Sequence, residues 1–229
     1  MDVSFIIFFT LIILFASLLQ TSTGFGFSVM ATPFLLLLFE PREAIQINLI
    51  LSLFISIAIF MQVKKDVDSI TLKRFIIGSV FGLPIGITVF LLLDITSFKI
   101  GVSVLILLLT LLLVLRFRMK QTDKRDFVIG GFSGTLTASI GMPGPPILLY
   151  FSGTDATKEK IRGTALTYYL FIYFVSFIIQ LIFAGTTQTT WLYSAAALPI
   201  VIIGMVLGQV IFKWINQKVF QVVTYLILF

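Results

Sequence analysis

Long apolar runs, separated by short polar stretches, fill the chain from end to end and constrain its fold more than any other feature. A helix needs about 20 mostly apolar residues to cross the hydrocarbon core of a bilayer. Only 11% of the residues are charged, against about 25% in a typical soluble domain. That is too little polar surface to cover a globule in water. The sequence therefore predicts an all-α integral membrane protein, a polytopic bundle with the lipid bilayer as its solvent.

The apolar segments are separated by polar turns. Their approximate bounds are 3–20, 27–39, 44–63, 74–93, 97–115, 127–140, 146–152, 163–184 and 190–212, and another segment starts near 219. This last segment reaches Phe229 too soon to span a bilayer as a helix. We therefore expect the last helix to be partial or truncated.

The residue types exclude several kinds of chemistry. The chain has no Cys and no His, which rules out disulfides, thiolate nucleophiles, imidazole metal ligands and His proton relays. The acidic residues lie near the ends of the predicted segments, which argues against a carboxylate relay inside the membrane. We therefore expect no enzyme activity, no metal and no cofactor. The net charge of +6 is attributed to cytoplasmic loops, which favour Lys and Arg, and not to a nucleic-acid surface.

The same order of segments occurs twice, which predicts an internal repeat. In each half a long helix ends at a Gly- or Pro-rich break, a short helix follows, and three ordinary spans complete the half. Pro33 aligns with Pro146 in the two short helices, and a pair of glycines four residues apart recurs later in each half. The first membrane repeat is predicted over 1–118 and the second over 119–229, together forming one integral domain.

Loop charges predict how the halves are oriented. The loops at 64–74 and 116–126 are rich in Lys and Arg, so both are expected in the cytoplasm. If the second break forms a re-entrant hairpin, the basic loops near 158–162 and 213–218 are cytoplasmic too. A single crossing would place them outside. With the hairpin each half has an odd number of segments, so the halves are predicted to be inverted and the N-terminus external.

The two breaks are the candidate binding site. Non-helical backbone at membrane depth is tolerated only where it is buried in protein or lines a wet cavity. Broken helices at matching positions of inverted repeats point to a transporter site near the bilayer midplane. Each break leads into the N-terminus of a short helix, whose free N–H groups and positive dipole end favour anions. Alternatively, the Gly and Pro residues only allow kinks and close helix packing.

Polar residues near the breaks have two interpretations. Asn48 is expected either to bind the ligand or to bond a neighbouring helix, and Thr164 is its counterpart by pattern. Arg162 is either a snorkelling cytoplasmic anchor or an attractor of anions at the entrance. Interhelical hydrogen bonds are predicted for Gln20 and Gln180, and packing faces for Gly78, Gly82, Gly86, Gly204 and Gly208. The candidate substrate-binding residues are Ser22, Thr23, Gly24, Phe25, Gly26, Asn48, Ser139, Gly141, Met142, Gly144, Pro145, Arg162 and Thr164.

Two motifs carry a family resemblance. The first is Gly24-Phe25-Gly26 followed by Pro33-Phe34-Leu35 and Asn48-Leu49, and the second is Gly144-Pro145-Pro146-Ile147-Leu148-Leu149-Tyr150 followed by Arg162-Gly163-Thr164. Over essentially the whole chain they resemble the sulfite exporter TauE/SafE family. The resemblance implies a multi-pass permease of the inner (plasma) membrane that moves sulfite, sulfonates or related small anions. It also implies that both motifs, with Asn48 and Thr164, form the site. Phe25 and Phe27 stand where the family commonly has glycine.

Together these features predict a secondary transporter that exports a small sulfur-containing anion by alternating access around a midplane site. Export needs no coupling ion, because a negative-inside potential drives an anion outward by about 2.3 kcal/mol per charge per 100 mV. The expected partners are the small anionic substrate and the lipid bilayer, with no nucleic acid. The alternatives are an anion channel of the same fold and an accessory membrane scaffold, which would not need matched breaks.

Overall fold

The computed structural model describes residues 3–92, 121–154 and 156–217, together with residues 100, 101, 104, 107, 219 and 220. Every regular element among these residues is a helix, which confirms the all-α prediction. Five of the described helices are long and apolar enough to cross a membrane. The predicted segment at 97–115 and the one that starts near 219 lie almost wholly outside the described residues.

The helices follow the predicted order. They are α1 (Val3–Thr23), α2 (Phe27–Leu38), α3 (Pro41–Val63), α4 (Ser69–Leu92), α5 (Asp123–Ile140), α6 (Gly144–Ser152), α7 (Lys158–Ala184) and α8 (Gln188–Trp214), and a 3-10 turn (Lys64–Asp66) extends α3. Helices α5 and α7 begin several residues before the predicted apolar segments. The reason is that Thr122 and Thr157 cap their first turns by accepting a backbone N–H, so a polar stretch that hydropathy assigns to a loop is helical.

Helices α3 and α7 lie against each other in opposite directions and are the two most buried of the five spans. Near the start of α3, the Gln46 side chain donates to the carbonyl oxygen of Gly185, just past the end of α7, at 2.8 Å. Near the start of α7, the Thr164 hydroxyl accepts from the N–H of Asp68, just past the end of α3, at 2.9 Å. The start of each helix therefore lies at the end of the other.

Helices α4 and α5 pack in parallel with their backbones in contact. A Cβ added to Gly78 would overlap the carbonyl oxygen of Phe127, and one added to Gly82 would overlap that of Gly131. Gly86 repeats the contact one turn further along. Since the contact positions rise together in both helices, the two run in the same direction. The packing role predicted for these glycines is confirmed.

Helix α8 packs on α1 in the same way. A Cβ on Gly204 would overlap the hydroxyl of Ser17, and a Cβ on Gly208 would lie 2.7 Å from the carbonyl oxygen of Leu18. These positions also rise together, so α1 and α8 are parallel. Small residues that let helices approach closely are the usual packing device within a bilayer. The packing role predicted for this glycine pair is confirmed as well.

One end of the bundle collects charged residues. Arg74, at the start of α4, forms ion pairs with Asp123 at 2.7 Å and Asp126 at 3.1 Å, both at the start of α5. Lys160, at the start of α7, pairs with Asp68, which follows α3, at 2.9 Å. The starts of α4, α5 and α7 and the end of α3 therefore lie together.

Replacing Gly82 by Ala is expected to lower the stability of the protein. The new Cβ would overlap the carbonyl oxygen of Gly131, and backbone cannot move aside without separating α4 from α5. The gain in helix propensity from Gly to Ala, about 1 kcal/mol, is too small to offset this clash. The melting temperature of the purified protein in detergent should therefore fall.

The matched control is Gly131→Ala, which lies in the same interface. Its Cβ would meet its nearest neighbour, the carbonyl oxygen of Gly78, at 3.5 Å, an ordinary contact. We expect this variant to melt at or above the wild-type temperature. If Gly82→Ala melts as high as Gly131→Ala, the close approach of α4 and α5 is not what stabilises the bundle.

Candidate functional site

The first break is shorter than the sequence predicts. Helix α1 continues through Thr23, so the hydroxyl residues from Thr21 onward form its last turn rather than a break. The chain leaves the helix at Gly24, with φ 85°, and Gly26 has φ 105°. Gly141 ends α5 with φ 73°. Residues with a Cβ seldom adopt this left-handed conformation, so both breaks depend on glycine.

Each break is held by a side chain from a helix distant in sequence. At the end of α5, Asn48 of α3 donates from Nδ2 to the carbonyl oxygen of Gly141 at 2.7 Å. At the end of α1, Arg162 of α7 donates from Nε to the carbonyl oxygen of Thr21 at 2.7 Å. The last carbonyls of a helix lack partners within it, and a bilayer offers no water to replace them. We call these two bonds the reciprocal clasp.

Arg162, rather than Thr164, makes the hydrogen bond at the first break that corresponds to the bond of Asn48 at the second. The Thr164 hydroxyl binds the backbone of Asp68 at the charged end of the bundle. Burial would raise the pKa of the Asp68 carboxyl, but hydrogen bonds from Lys160 and from the start of α4 hold that pKa below its usual value. Thr164 thus joins the loop after α3 to α7, and its hydroxyl bonds this loop rather than a carbonyl at either break.

The guanidinium of Arg162 lies inside the protein. Only 7% of this residue is exposed, and its guanidinium carbon is 4.2 Å from the centre of the Phe212 ring, a cation–π contact. Gly24 packs directly on it, since a Cβ there would meet the Arg162 Cα at 2.9 Å. The interpretation of Arg162 as a snorkelling anchor is wrong. Its positive charge lies beside the first break.

The short helices α2 and α6 begin next to each other. A Cβ on Gly144, the first residue of α6, would lie 3.4 Å from a methyl carbon of Val29 and 3.8 Å from the hydroxyl of Ser28, both in the first turn of α2. The same Cβ would lie 3.3 Å from the hydroxyl of Tyr169. Tyr169 lies near the middle of α7, so the two N-termini meet near the centre of the bundle.

Aromatic side chains pack beside Tyr169, whose hydroxyl lies at this meeting point. The Phe25 ring centre lies 6.4 Å from that of Phe151 and 6.2 Å from that of Tyr169. Met142 and Pro145, in the second break and the first turn of α6, are buried as well. Phe25, which stands where the family commonly has glycine, therefore places a large apolar surface beside Tyr169 and the C-terminal end of α6.

Every predicted binding residue is buried: Ser22, Thr23, Gly24, Phe25, Gly26, Asn48, Ser139, Gly141, Met142, Gly144, Pro145, Arg162 and Thr164. The structure brings these residues together in pairs, Gly24 with Arg162 and Asn48 with Gly141. Three of the hydroxyls bond carbonyls of their own helices instead. They belong to Ser22, Thr23 and Ser139.

Two glutamines form the interhelical hydrogen bonds predicted for them. Gln20 of α1 donates to the carbonyl oxygen of Ser52 in α3 at 3.2 Å. Gln180 of α7 donates to the carbonyl oxygen of Ala138 in α5 at 3.0 Å. Each bond ties a helix that ends at a break to one of the two most buried spans.

The polar side chains at the meeting point itself were not predicted from the sequence. Ser28 accepts a hydrogen bond from the hydroxyl of Tyr173 at 3.3 Å, and Tyr169 lies beside both. The available signal was a group of tyrosines within one span, away from the membrane interfaces where Tyr is usually found. The hydroxyls of these side chains lie where the first residues of α2 and α6 approach each other.

A buried carboxylate was also missed. Asp126 is fully buried in the first turn of α5, where it accepts a hydrogen bond from Tyr150 and pairs with Arg74. The predicted loop ended at this residue, which hid its burial. Among the described residues, no group of three or more acidic, His or Cys side chains is placed to hold a metal ion.

Replacing Asn48 by Ala is expected to destabilise the fold by about 1–3 kcal/mol, because a buried carbonyl then loses its donor. The carbonyl is that of Gly141, and both residues are buried. The free energy of unfolding, from reversible denaturation in detergent, measures the loss.

The control for this variant is Gln46→Ala, which removes another α3 amide that donates to a glycine carbonyl. Its acceptor belongs to the exposed Gly185, which solvent can satisfy. The loss of stability should be clearly smaller. An equal loss in both variants would mean that the Asn48–Gly141 bond contributes no more to stability than the Gln46–Gly185 bond.

The chain matches a known family over nearly its whole length. The family model described as Sulfite exporter TauE/SafE covers residues 9–229, which confirms the resemblance of the two motifs. A search of curated proteins and a search of solved structures gave no match. Membership in this family implies a membrane transporter. The chain therefore belongs to the sulfite exporter TauE/SafE family, and with its five apolar spans it is a multi-pass membrane protein.

Proposed function

We propose that this protein is a secondary transporter that exports a small anion, sulfite or a sulfonate, across the inner membrane by alternating access. The anion is held between two inverted halves, where the short helices α2 and α6 begin. The meeting of these two helix N-termini in the centre of the bundle is the observation that carries the proposal. N-termini attract anions through their free N–H groups and their dipoles.

The helix directions support inverted halves. Helices α1 and α8 are parallel, as are α4 and α5, whereas α3 and α7 are antiparallel. The short turns after α3 and α7 reverse the chain, so α4 runs opposite to α3 and α8 runs opposite to α7. It follows that each helix of the second half runs opposite to its counterpart in the first half. Helix α5 runs opposite to α1, α7 opposite to α3, and α8 opposite to α4.

Loop charge supports a cytoplasmic position for the charged end of the bundle. That end carries Lys64, Lys65, Lys73, Arg74, Lys124, Arg125, Lys158 and Lys160. At the opposite end Glu43 accepts a hydrogen bond from Thr187. The excess of Lys and Arg belongs in the cytoplasm. Since α1 runs in the same direction as α3, the N-terminus lies outside.

The test is anion flux in proteoliposomes that contain the purified protein. We expect saturable efflux of ethanesulfonate or sulfite, and counterflow of labelled anion against an unlabelled gradient. Flux that neither saturates nor shows counterflow would mean that the protein is an anion channel and not a carrier. No flux of either anion would overturn the proposal and leave an accessory membrane protein as the alternative.

The variant that tests the site is Gly144→Val. Its added side chain fills the space between Tyr169, Val29 and Ser28, where even a Cβ lies 3.3–3.8 Å from its neighbours. We expect flux to be abolished while the protein still folds. Gly24 is less suitable for this test, because a side chain there would press on the Arg162 backbone.

The control is Gly101→Val, at a helical position where a Cβ meets nothing within 4 Å. This variant should transport at the wild-type rate. Normal flux in Gly144→Val, with the protein folded, would contradict the proposed site.

A further inference from the structure

The two central helices lack the threonine caps that α5, α7 and α8 carry. Threonine side chains cap the N-termini of α5, α7 and α8 by accepting a backbone N–H. Helix α2 begins after Gly26 and α6 after Pro143, and neither end has a side-chain cap. Both ends are buried. Buried helix ends without such partners require another acceptor for their N–H groups.

A buried hydroxyl lies at this meeting point without a partner. Tyr169 is 1% exposed, and its hydroxyl makes no hydrogen bond to any described residue. It lies 3.3 Å from the position of a Cβ on Gly144, the first residue of α6. A hydroxyl buried without a partner is costly. Because this hydroxyl lies beside an uncapped helix end, one ligand could accept hydrogen bonds both from it and from the free N–H groups of that end.

Two more hydroxyls extend the cluster. Tyr173 donates to Ser28 at 3.3 Å, and the ring centres of Tyr169 and Tyr173 are 5.4 Å apart. The Ser28 hydroxyl lies 3.8 Å from the same Gly144 position. The proline pair after Gly144 supplies no N–H, so α6 offers few backbone donors, and neighbouring hydroxyls can supply the rest.

We infer that Tyr169, Tyr173 and Ser28, with the N-termini of α2 and α6, form a subsite without charged side chains that binds the oxygen atoms of a singly charged oxoanion. The anion accepts from the Tyr169 hydroxyl and from the first backbone N–H groups of both helices, and so serves as their common cap. This inference rests on the proposed function, because it specifies where the transported anion is held.

The charge at the subsite matches one negative charge. Each helix N-terminus is equivalent to roughly half a positive charge, so two such ends balance one charge and not two. Arg162 does not add to this balance directly. It precedes Tyr169 by two helical turns, about 10 Å along α7, and its guanidinium is held by Thr21 and Phe212.

The wall beside the subsite suits an organic substituent. The Phe25 ring packs against Tyr169, with the two ring centres 6.2 Å apart, and apolar surface favours an alkyl group over water. A small alkanesulfonate combines such a group with three oxygen acceptors and one charge. The divalent sulfate ion has twice the charge and no apolar part, so it should bind less well.

The test measures binding of ethanesulfonate and of sulfate to the purified protein by titration calorimetry, with flux measured in parallel. Tyr169→Phe removes only the unpartnered hydroxyl. We expect its Kd for ethanesulfonate to rise about ten-fold or more, as for a hydrogen bond to a charged group. Its melting temperature without ligand should not fall. Sulfate should bind the wild type more weakly than ethanesulfonate.

The matched control is Tyr168→Phe. Tyr168 is adjacent and fully buried, but its hydroxyl binds the Gly130 carbonyl oxygen. Its loss should leave the Kd unchanged. Equal Kd values for Tyr169→Phe and the wild type would overturn the subsite, as would tighter binding of sulfate than of ethanesulfonate.

Flux separates this inference from the proposed function. Wild-type flux that persists with unchanged KM in Tyr169→Phe would overturn the subsite and leave transport in place. Binding of ethanesulfonate that depends on Tyr169, without any flux, would support the subsite and overturn transport. A wild type that does not bind ethanesulfonate and transports neither ethanesulfonate nor sulfite would overturn both.

Discussion

Backbone groups that leave a helix inside a bilayer must find partners within the protein, and the rest of this structure depends on that constraint. Both long helices that end inside the bundle solve it in the same way. A glycine in the left-handed conformation turns the chain, and a side chain from a distant helix binds the carbonyl left free. Asn48 does so for α5 and Arg162 for α1. The clasp therefore joins the early and late parts of the chain at the points where each is interrupted.

The clasp and the glycine contacts give the two parts of the chain a shared interface. Helices α1 and α4 pack most closely on α8 and α5, which come from the other part, and α3 packs on α7. The N-termini of α2 and α6 meet inside this arrangement. A ligand held there touches both parts at once. In the proposed mechanism, motion of one part against the other changes which side of the membrane this site faces.

The helices were predicted from hydropathy because a long apolar run in lipid is stable as a helix, which satisfies its own backbone hydrogen bonds. Hydropathy placed the starts of α5 and α7 too late, since the caps Thr122 and Thr157 make polar turns helical. The breaks were predicted from glycines, and at Gly24, Gly26 and Gly141 the left-handed backbone conformation explains why glycine is present. The partners of the breaks were harder to predict. Thr164 matched Asn48 in pattern, but only a folded structure shows that Arg162 reaches Thr21. Tyr169 was missed because a group of tyrosines in an apolar helix does not reveal which hydroxyl has a partner, as that of Tyr168 does, and which has none. The division into repeats at 1–118 and 119–229 stays a prediction.

The opposed direction of the two halves is tested most directly by labelling single cysteines, since the chain contains none of its own. Ser69→Cys places an exposed thiol at the first residue of α4, and Thr186→Cys places one on the turn between α7 and α8. Both positions mark the connection between the third and fourth helices of their half. A membrane-impermeant maleimide should label position 186 in intact cells and position 69 only in inverted vesicles. Labelling of both positions from the same side would contradict inverted halves and the anion site between them.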